Sequence, residues 1–388
     1  MTKAIVLGAG MVGSVMALDL SQDPAFDVTI ADLRPANLSA AAARCQGRVK
    51  SLQADLADTA AVKKLVAPFD IVCGALSSRI GFQTLRAVIE AGKNFCDISF
   101  FAQDAMDLDA LAKQHGVTAV VDCGVAPGMS NMAAGYAAEY FERCDTIAIY
   151  VGGLPRERRW PFEYKAGFSP ADVLEEYVRP SRIVDRGETV IREALSEPQL
   201  LDFPGVGTLE AFNTDGLRSL ASTLKSRVPT MIEKTMRYPG HIELMRVLRH
   251  IGLFSQTPIE VPGADGGTAR IRPLDVISKL MFPLWTYEEG EEDMTVMRIV
   301  AEGLKNGQRE RITWDLMDIY DQTTRATSMS RTTAFPCTIM AREVAAGRFK
   351  MPGVVPPEFI GMQPGMLDRV LGELEARGVK YTKRVEAF

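Results

Sequence analysis

The sequence predicts an α/β protein in which a parallel sheet flanked by helices carries an inserted α/β domain with a mixed or antiparallel sheet. Three observations predict it. Short apolar runs alternate with helix-spaced segments over the first 124 residues or so. The first strand-to-helix turn holds a spaced glycine pattern, Gly8-x-Gly10-x-x-Gly13. Beyond it the rhythm gives way to longer, turn-rich connections.

In chain order, "KAIVLGAG" reads as a strand ending in glycines, and "MVGSVMALDLSQ" as the helix that follows. "DVTIADLRP" supplies a second strand. Further strands are expected at 49–55, 70–76, 94–99 and 117–124, separated by helical segments such as "GFQTLRAVIEAG" and "AMDLDALAKQHG". Such alternation implies a parallel sheet with helices on both faces. After residue 124 come "VGGLPRERRWPFEY" and "FPGVGTLEAFNTDG". There "MTVMRIVAEGL" and "QRERITWDLMDIY" flank "KNGQ", whose Asn-Gly pair signals a hairpin and hence an antiparallel pairing. Helical spacing returns in "TAFPCTIMAREVAAG" and "GMLDRVLGELEARG", before a strand-like "VKYTKRV". The expected division is residues 1–124 with 333–388 packed back as one Rossmann-type domain, and 125–332 as a domain for substrate binding and homodimerisation through its sheet.

The 388 residues carry a formal charge of −5 and no Lys/Arg run, which argues against nucleic acid or an anionic membrane as partner and leaves a small molecule. With a strand starting near Met1 and no apolar run long enough to span a bilayer, a cytoplasmic protein is expected. The six cysteines (Cys45, Cys73, Cys96, Cys123, Cys144, Cys337) show neither C-x-x-C pairs nor histidines at ligand spacing, so reduced, mostly buried thiols and no metal site are expected.

At the glycine loop the first glycine permits the turn, the second admits a pyrophosphate, and the third lets helix and strand approach. The helix N-terminus offers free N–H groups to phosphate. Asp32, at the end of the second strand, is placed to accept bonds from both ribose hydroxyls, which favours NAD, while Arg34 two residues on keeps NADP as the second candidate. The expected cofactor residues are Gly8, Gly10, Met11, Val12, Gly13, Asp32, Arg34, Asp55 at the third strand's end, and Ala75, Leu76 and Ser77 at the fourth.

"MIEKTMRYPGH" gathers Lys234, Arg237, Tyr238 and His241 around a Pro-Gly turn. Together with "GAGMVG", "DCGVAPGMSN", "YVGGLP", "EYKAGFS" and "GTLEAFNTDGLRSL", it makes nearly the whole chain resemble the saccharopine dehydrogenase superfamily, and within it the lysine 6-dehydrogenases. Two departures from the glutamate-forming saccharopine dehydrogenases are Ala126, where those typically read "GLDPG", and His241. The resemblance implies oxidation of an amino-acid amine, most simply lysine to allysine and ammonia, with saccharopine oxidation as the alternative. A nucleotide-binding redox sensor without turnover is the reading of another class. Arg237 or Arg218 would grip the carboxylate in a two-bond fork. His241 is the expected base, since a free alkylammonium near pKa ~10.4 must lose its proton before it reacts. Lys234 would raise the local potential, and Asp97 would touch the amine or the nicotinamide ribose. Tyr164, Lys165, Tyr238, Gly124 and Pro127 complete the expected substrate site.

Overall fold

The computed structural model describes residues 1–263 and 266–388. Its first sheet is parallel, built from β1 (Thr2–Leu7), β2 (Phe26–Asp32), β3 (Lys50–Gln53), β4 (Ile71–Gly74), β5 (Asn94–Asp97) and β6 (Thr118–Val120). All six strands expected from the sequence form. Along β1, Ala4 and Val6 join one buried cluster while Ile5 and Leu7 join another, so the sheet is covered on both faces and its strands read as unbroken apolar runs.

The second sheet contains β7 (Arg143–Pro155), β8 (Ser181–Asp185), β9 (Glu188–Arg192), β10 (Gln199–Phe203), β11 (Gly207–Asn213) and β12 (Thr230–Arg237). A small hairpin of β13 (Ile259–Pro262) and β14 (Thr268–Ile271) stands apart. The long strands β15 (Asp293–Lys305) and β16 (Gln308–Ile319) form the expected hairpin. Asn306 and Gly307 both have positive φ, 50° and 76°, as the tight turn between twisted strands requires. Only β12 and β7 pair in parallel within this sheet, which is therefore mixed.

The tail departs from expectation. The short β17 (Gly353–Val355) extends the parallel sheet, giving the order β17-β6-β5-β4-β1-β2-β3. The last strand, β18 (Tyr381–Ala387), instead pairs with β16 at the edge of the mixed sheet. Residues 333–388 thus do not all return to the first domain. "VKYTKRV" carries an alternating strand pattern, but nothing local says which open edge receives it. On both sides of β17, the tail is fastened to the first domain by Asp19 on the helix Met11–Ser21. Its carboxylate takes Thr338 at 2.6 Å, Arg342 at 2.6 Å and Arg377 at 2.8 Å.

All six cysteines are buried. Scattered in sequence, Cys73, Cys96, Cys123 and Cys337 come within electrostatic reach of one another inside the fold, and burial raises the Cys337 thiol well above its ordinary pKa. No helix among the described residues is long and apolar enough to cross a membrane.

Candidate active site

A cavity of about 1060 Å³ runs between the carboxyl ends of the parallel strands and the mixed sheet. Its first wall is the glycine loop. Gly8 takes φ +100°, and a Cβ there would meet the Ala75 carbonyl at 2.4 Å. A Cβ on Gly13 would lie 1.9 Å from the Gly8 carbonyl oxygen, whereas one on Gly10 would meet nothing within 4 Å. Turn, tight approach and open space for a pyrophosphate are thus divided among the three glycines as the spacing predicts. Met11, Val12, Arg34, Ala75, Leu76 and Ser77 line the same wall.

Asp32 does not present a free carboxylate. Its oxygens accept from the backbone N–H of Ala9 at 2.8 Å, that of Arg34 at 2.8 Å and the Asn37 amide at 3.3 Å. Arg34, with its side chain 73% exposed, stands at the cavity mouth with Arg44 and Arg325. Asp55 lies outside the cavity, where it caps a turn by accepting from Ala57 N–H at 2.9 Å. Asp97 is also displaced from its expected role. One of its oxygens takes Ser99 N–H and Oγ at 3.0 and 2.7 Å, and the same Ser99 Oγ accepts from Leu76 N–H at 3.1 Å. It shapes the 75–77 segment from behind, and burial raises its pKa to about 6. Gly124 and Pro127 line the cavity as expected.

The opposite wall corrects most of the cationic cluster. Successive residues of a strand point to opposite faces. In β12 Glu233, Thr235 and Arg237 therefore face the cavity, and Lys234 faces away. Lys234 Nζ donates to the Glu197 carbonyl at 2.7 Å. Tyr238 lies in a separate apolar cluster, its hydroxyl donating to the Pro155 carbonyl at 3.0 Å. Lys165 is paired with Glu291 and donates to the Thr286 carbonyl at 3.1 Å, so only its neighbour Tyr164 reaches the cavity. Arg218 grips Asp122 with Nε and Nη2 at 3.2 and 3.3 Å, and the Phe101 carbonyl at 2.8 Å. It ties the mixed-sheet domain to the parallel sheet and has no place on the cavity wall.

His241 is buried behind that wall. Its Nδ1 lies 2.9 Å from the Phe162 carbonyl, and its Nε2 lies 3.0 Å from the Tyr177 hydroxyl. The carbonyl can only accept, so Nδ1 carries the proton and Nε2 accepts from Tyr177, which in turn accepts from Arg237 Nε at 3.0 Å. Burial, aided by the Arg237 charge, lowers the imidazole to about pKa 3, so it is neutral. His241 is thus a positioning residue for Arg237 and not the base.

Arg237 is the buried cation on this wall. Of its five N–H donors, three are engaged, by Tyr177, the Met236 carbonyl at 3.0 Å and the Tyr164 hydroxyl at 3.4 Å. Its guanidinium carbon lies 4.5 Å over the Tyr164 ring. The two N–H groups left over, one on each terminal nitrogen, suit a carboxylate fork.

Two glutamates that sequence reasoning passed over share the wall. Glu233 accepts from Thr214 Oγ1 at 2.8 Å and from Gly216 N–H, and burial raises it to about pKa 8. Glu176, on the helix Pro170–Val178, lines the cavity without a hydrogen-bond partner among the described residues. Its enclosure raises it to about 7, against the lowering pull of Arg237. Counting alternate residues back from Arg237 would have found Glu233. Glu176 follows the buried Val173 and Leu174 on an amphipathic helix, a signal too common to single out.

Comparison with known proteins now bears on this geometry. Residues 4–120 match the saccharopine dehydrogenase NADP binding domain, and residues 124–379 match the saccharopine dehydrogenase C-terminal domain. The chain belongs to the saccharopine dehydrogenase family. Over 96% of its length it is 23% identical to the L-glutamate-forming, NADP-dependent saccharopine dehydrogenase of Schizosaccharomyces pombe, covering 97% of that protein. It is 24% identical to the carboxynorspermidine synthase of Vibrio cholerae, with 92% of each chain covered. Against the bovine mitochondrial α-aminoadipic semialdehyde synthase it is 22% identical and spans 47% of that longer chain. The apo L-Glu-forming saccharopine dehydrogenase of Saccharomyces cerevisiae shares the fold with a TM-score of 0.80 over all of both chains, at 20% identity. This member of the saccharopine dehydrogenase family is accordingly a nicotinamide-dinucleotide-dependent oxidoreductase, and the glycine loop lies within the matched dinucleotide-binding domain.

Proposed function

We propose that this enzyme oxidises the CH–NH group of an amino acid that carries one anchoring carboxylate and a separate amine, with L-lysine as the leading substrate. One observation carries the reading: in the cavity that holds the glycine loop, a buried guanidinium with two free N–H groups faces two glutamates. Carboxylate and ammonium groups of one small molecule would satisfy both. Saccharopine carries three carboxylates, and its glutamyl arm would meet Glu176 and Glu233 at a like-charge cost, so it ranks second. A carboxylated polyamine has the favoured charge pattern too, which is the chemistry printed in the name of the Vibrio relative.

For the cofactor, the inward-turned Asp32 and the outward Arg34 support NADP(H) over the NAD that the Asp32 position alone suggests. A 2′-phosphate needs a cation and tolerates a carboxylate whose oxygens are already bonded.

The test is growth of reduced-nicotinamide absorbance with NAD or NADP, offered L-lysine, saccharopine or carboxynorspermidine. Lysine-dependent reduction is expected, and Arg34→Ala should weaken NADP at least tenfold while leaving NAD little changed. Turnover of saccharopine alone would overturn the lysine reading. Nucleotide binding with silence toward every amine would favour the redox sensor.

A further inference from the structure

The three cavity-facing residues of β12 form a line: Glu233, Thr235, Arg237. With ~3.3 Å of rise per residue, the ends of that line are about 13 Å apart at their Cα atoms. Both side chains project from the same face of the strand, so their charged groups lie at a separation of the same order. A hydrogen bond of ~2.9 Å at each end leaves about 7 Å for the ligand. An extended chain from the carboxylate of lysine to its terminal nitrogen fills such a gap.

The line has a direction. Arg237 is backed by Tyr164 and Tyr177, which pack around Trp285 deep in the mixed-sheet domain. Glu233 is held by Thr214 and Gly216, and two residues on Arg218 is bonded to Asp122 and the Phe101 carbonyl of the parallel-sheet domain. The glutamate end therefore lies beside the carboxyl ends of the parallel strands, where such sheets bind their cofactor. Gly216 lets the Glu233 carboxylate approach closely, since a Cβ on it would fall 2.2 Å from the carboxyl carbon and push that side chain aside.

We infer that β12 measures the substrate: Arg237 anchors its carboxylate, and Glu233 takes the proton from the amine at its far end, which is the group oxidised. This assignment rests on the amine-oxidoreductase reading above. Glu176, electrostatically coupled to both Arg237 and Glu233, lines the same cavity and would accept from the α-ammonium, which sits beside the anchored carboxylate. The substrate class is an ω-amino acid whose reacting nitrogen lies four methylenes beyond the α-carbon.

In the step itself an N–H bond of the ammonium breaks and an O–H bond forms on Glu233. The freed lone pair makes the C=N bond as the adjacent carbon gives its hydride to the oxidised nicotinamide. Water adds to the iminium carbon and ammonia leaves. One aldehyde, one ammonium, one reduced dinucleotide and one proton result. Thr214, Gly216 N–H, Glu176 and Asp215 are the groups that set the proton affinity of Glu233, after burial.

The experiment measures steady-state kinetics from pH 6 to 10 on the full chain with saturating oxidised dinucleotide. L-lysine, L-ornithine and 6-aminohexanoate are compared in wild type, Glu233→Gln and Glu233→Asp. Ornithine should lose about tenfold or more in kcat/KM for its missing methylene. 6-Aminohexanoate, lacking only the α-amine, should still turn over. Glu233→Gln should lower kcat about 100-fold or more and abolish the rise of activity with pH, with Asp restoring part of it. Binding of reduced dinucleotide, followed by its fluorescence, checks that each variant folds. If Gln does not fold, Thr214→Val takes its place and must shift the pH limb. Ornithine matching lysine, or a Gln variant with the wild-type kcat and pH profile, overturns the ruler and leaves the function standing. Wild-type silence toward every amine overturns both.

Discussion

Arg237 shows how much a single residue depends on what stands behind it. Its Nε–H is received by Tyr177, whose own proton goes to His241, whose Nδ1–H goes to the Phe162 carbonyl. Each donor has one acceptor, and the chain ends on a carbonyl that cannot reverse it. His241→Ala should therefore raise KM for the amino acid about tenfold or more with a smaller change in kcat, since a buried hydrogen bond left unmade costs about 1–3 kcal/mol. Tyr177→Phe should do the same. Because the imidazole titrates at about pKa 3, no limb of the pH profile should belong to it. A limb near neutrality that vanishes in the His241 variant would restore it as the base. The sequence placed His241 close to Arg237 but could not say on which side of the cavity wall it lies, because helix entry after the Pro-Gly turn decides that.

At the scale of the element, β12 separates function from proximity. The eight-residue strand brings Lys234 closer in sequence to Arg237 than Glu233 is, yet its pleat sends Lys234 to the far face. Lys234→Met should keep kcat/KM within about twofold of wild type, because among the described residues the ammonium bonds the Glu197 carbonyl and the residue does not line the cavity. A hundredfold loss would show that the strand's register differs from the one described. The glycine loop behaves in the opposite way. Its three positions were legible from spacing alone, because each glycine answers a local steric demand within one strand, turn and helix.

Across the whole molecule, two features join the domains and load the cleft. Arg218 and Asp122 form a buried pair between the sheets, with both side chains less than a tenth exposed. Removing one partner of such a pair strands the other charge, so Arg218→Ala should destabilise the protein by about 3–5 kcal/mol in denaturant titrations. A change below about 1 kcal/mol would contradict its role as a tie. The cleft glutamates work against stability. Held at about 7 and about 8 in the native state, Glu176 and Glu233 keep protons that the unfolded chain, near ~4.3, releases. The native state then binds more protons between those values, so stability is highest below about pH 5 and falls as pH rises toward 8. Melting temperatures of wild type should drop over that range from this source, and Glu233→Gln should drop less. An identical pH slope in the variant would show that Glu233 is not strained. Substrate ammonium should relieve the same cost.

The sequence by itself determined the layered α/β fold, the parallel strands, the Asn-Gly hairpin, the glycine cradle and the chemistry of the cleft as a class. Each of these rests on a period, a turn residue or a spacing that spans a few residues. Tertiary structure alone decided that Arg237 rather than Arg218 lines the cavity, that Glu233 and Glu176 rather than His241 and Lys234 face it, and that the last strand closes the mixed sheet. Those outcomes depend on partners far away in the chain, such as Asp122 for Arg218, Tyr177 for His241 and β16 for β18. Which of two similar side chains faces the cavity is set by where distant segments hold each of them.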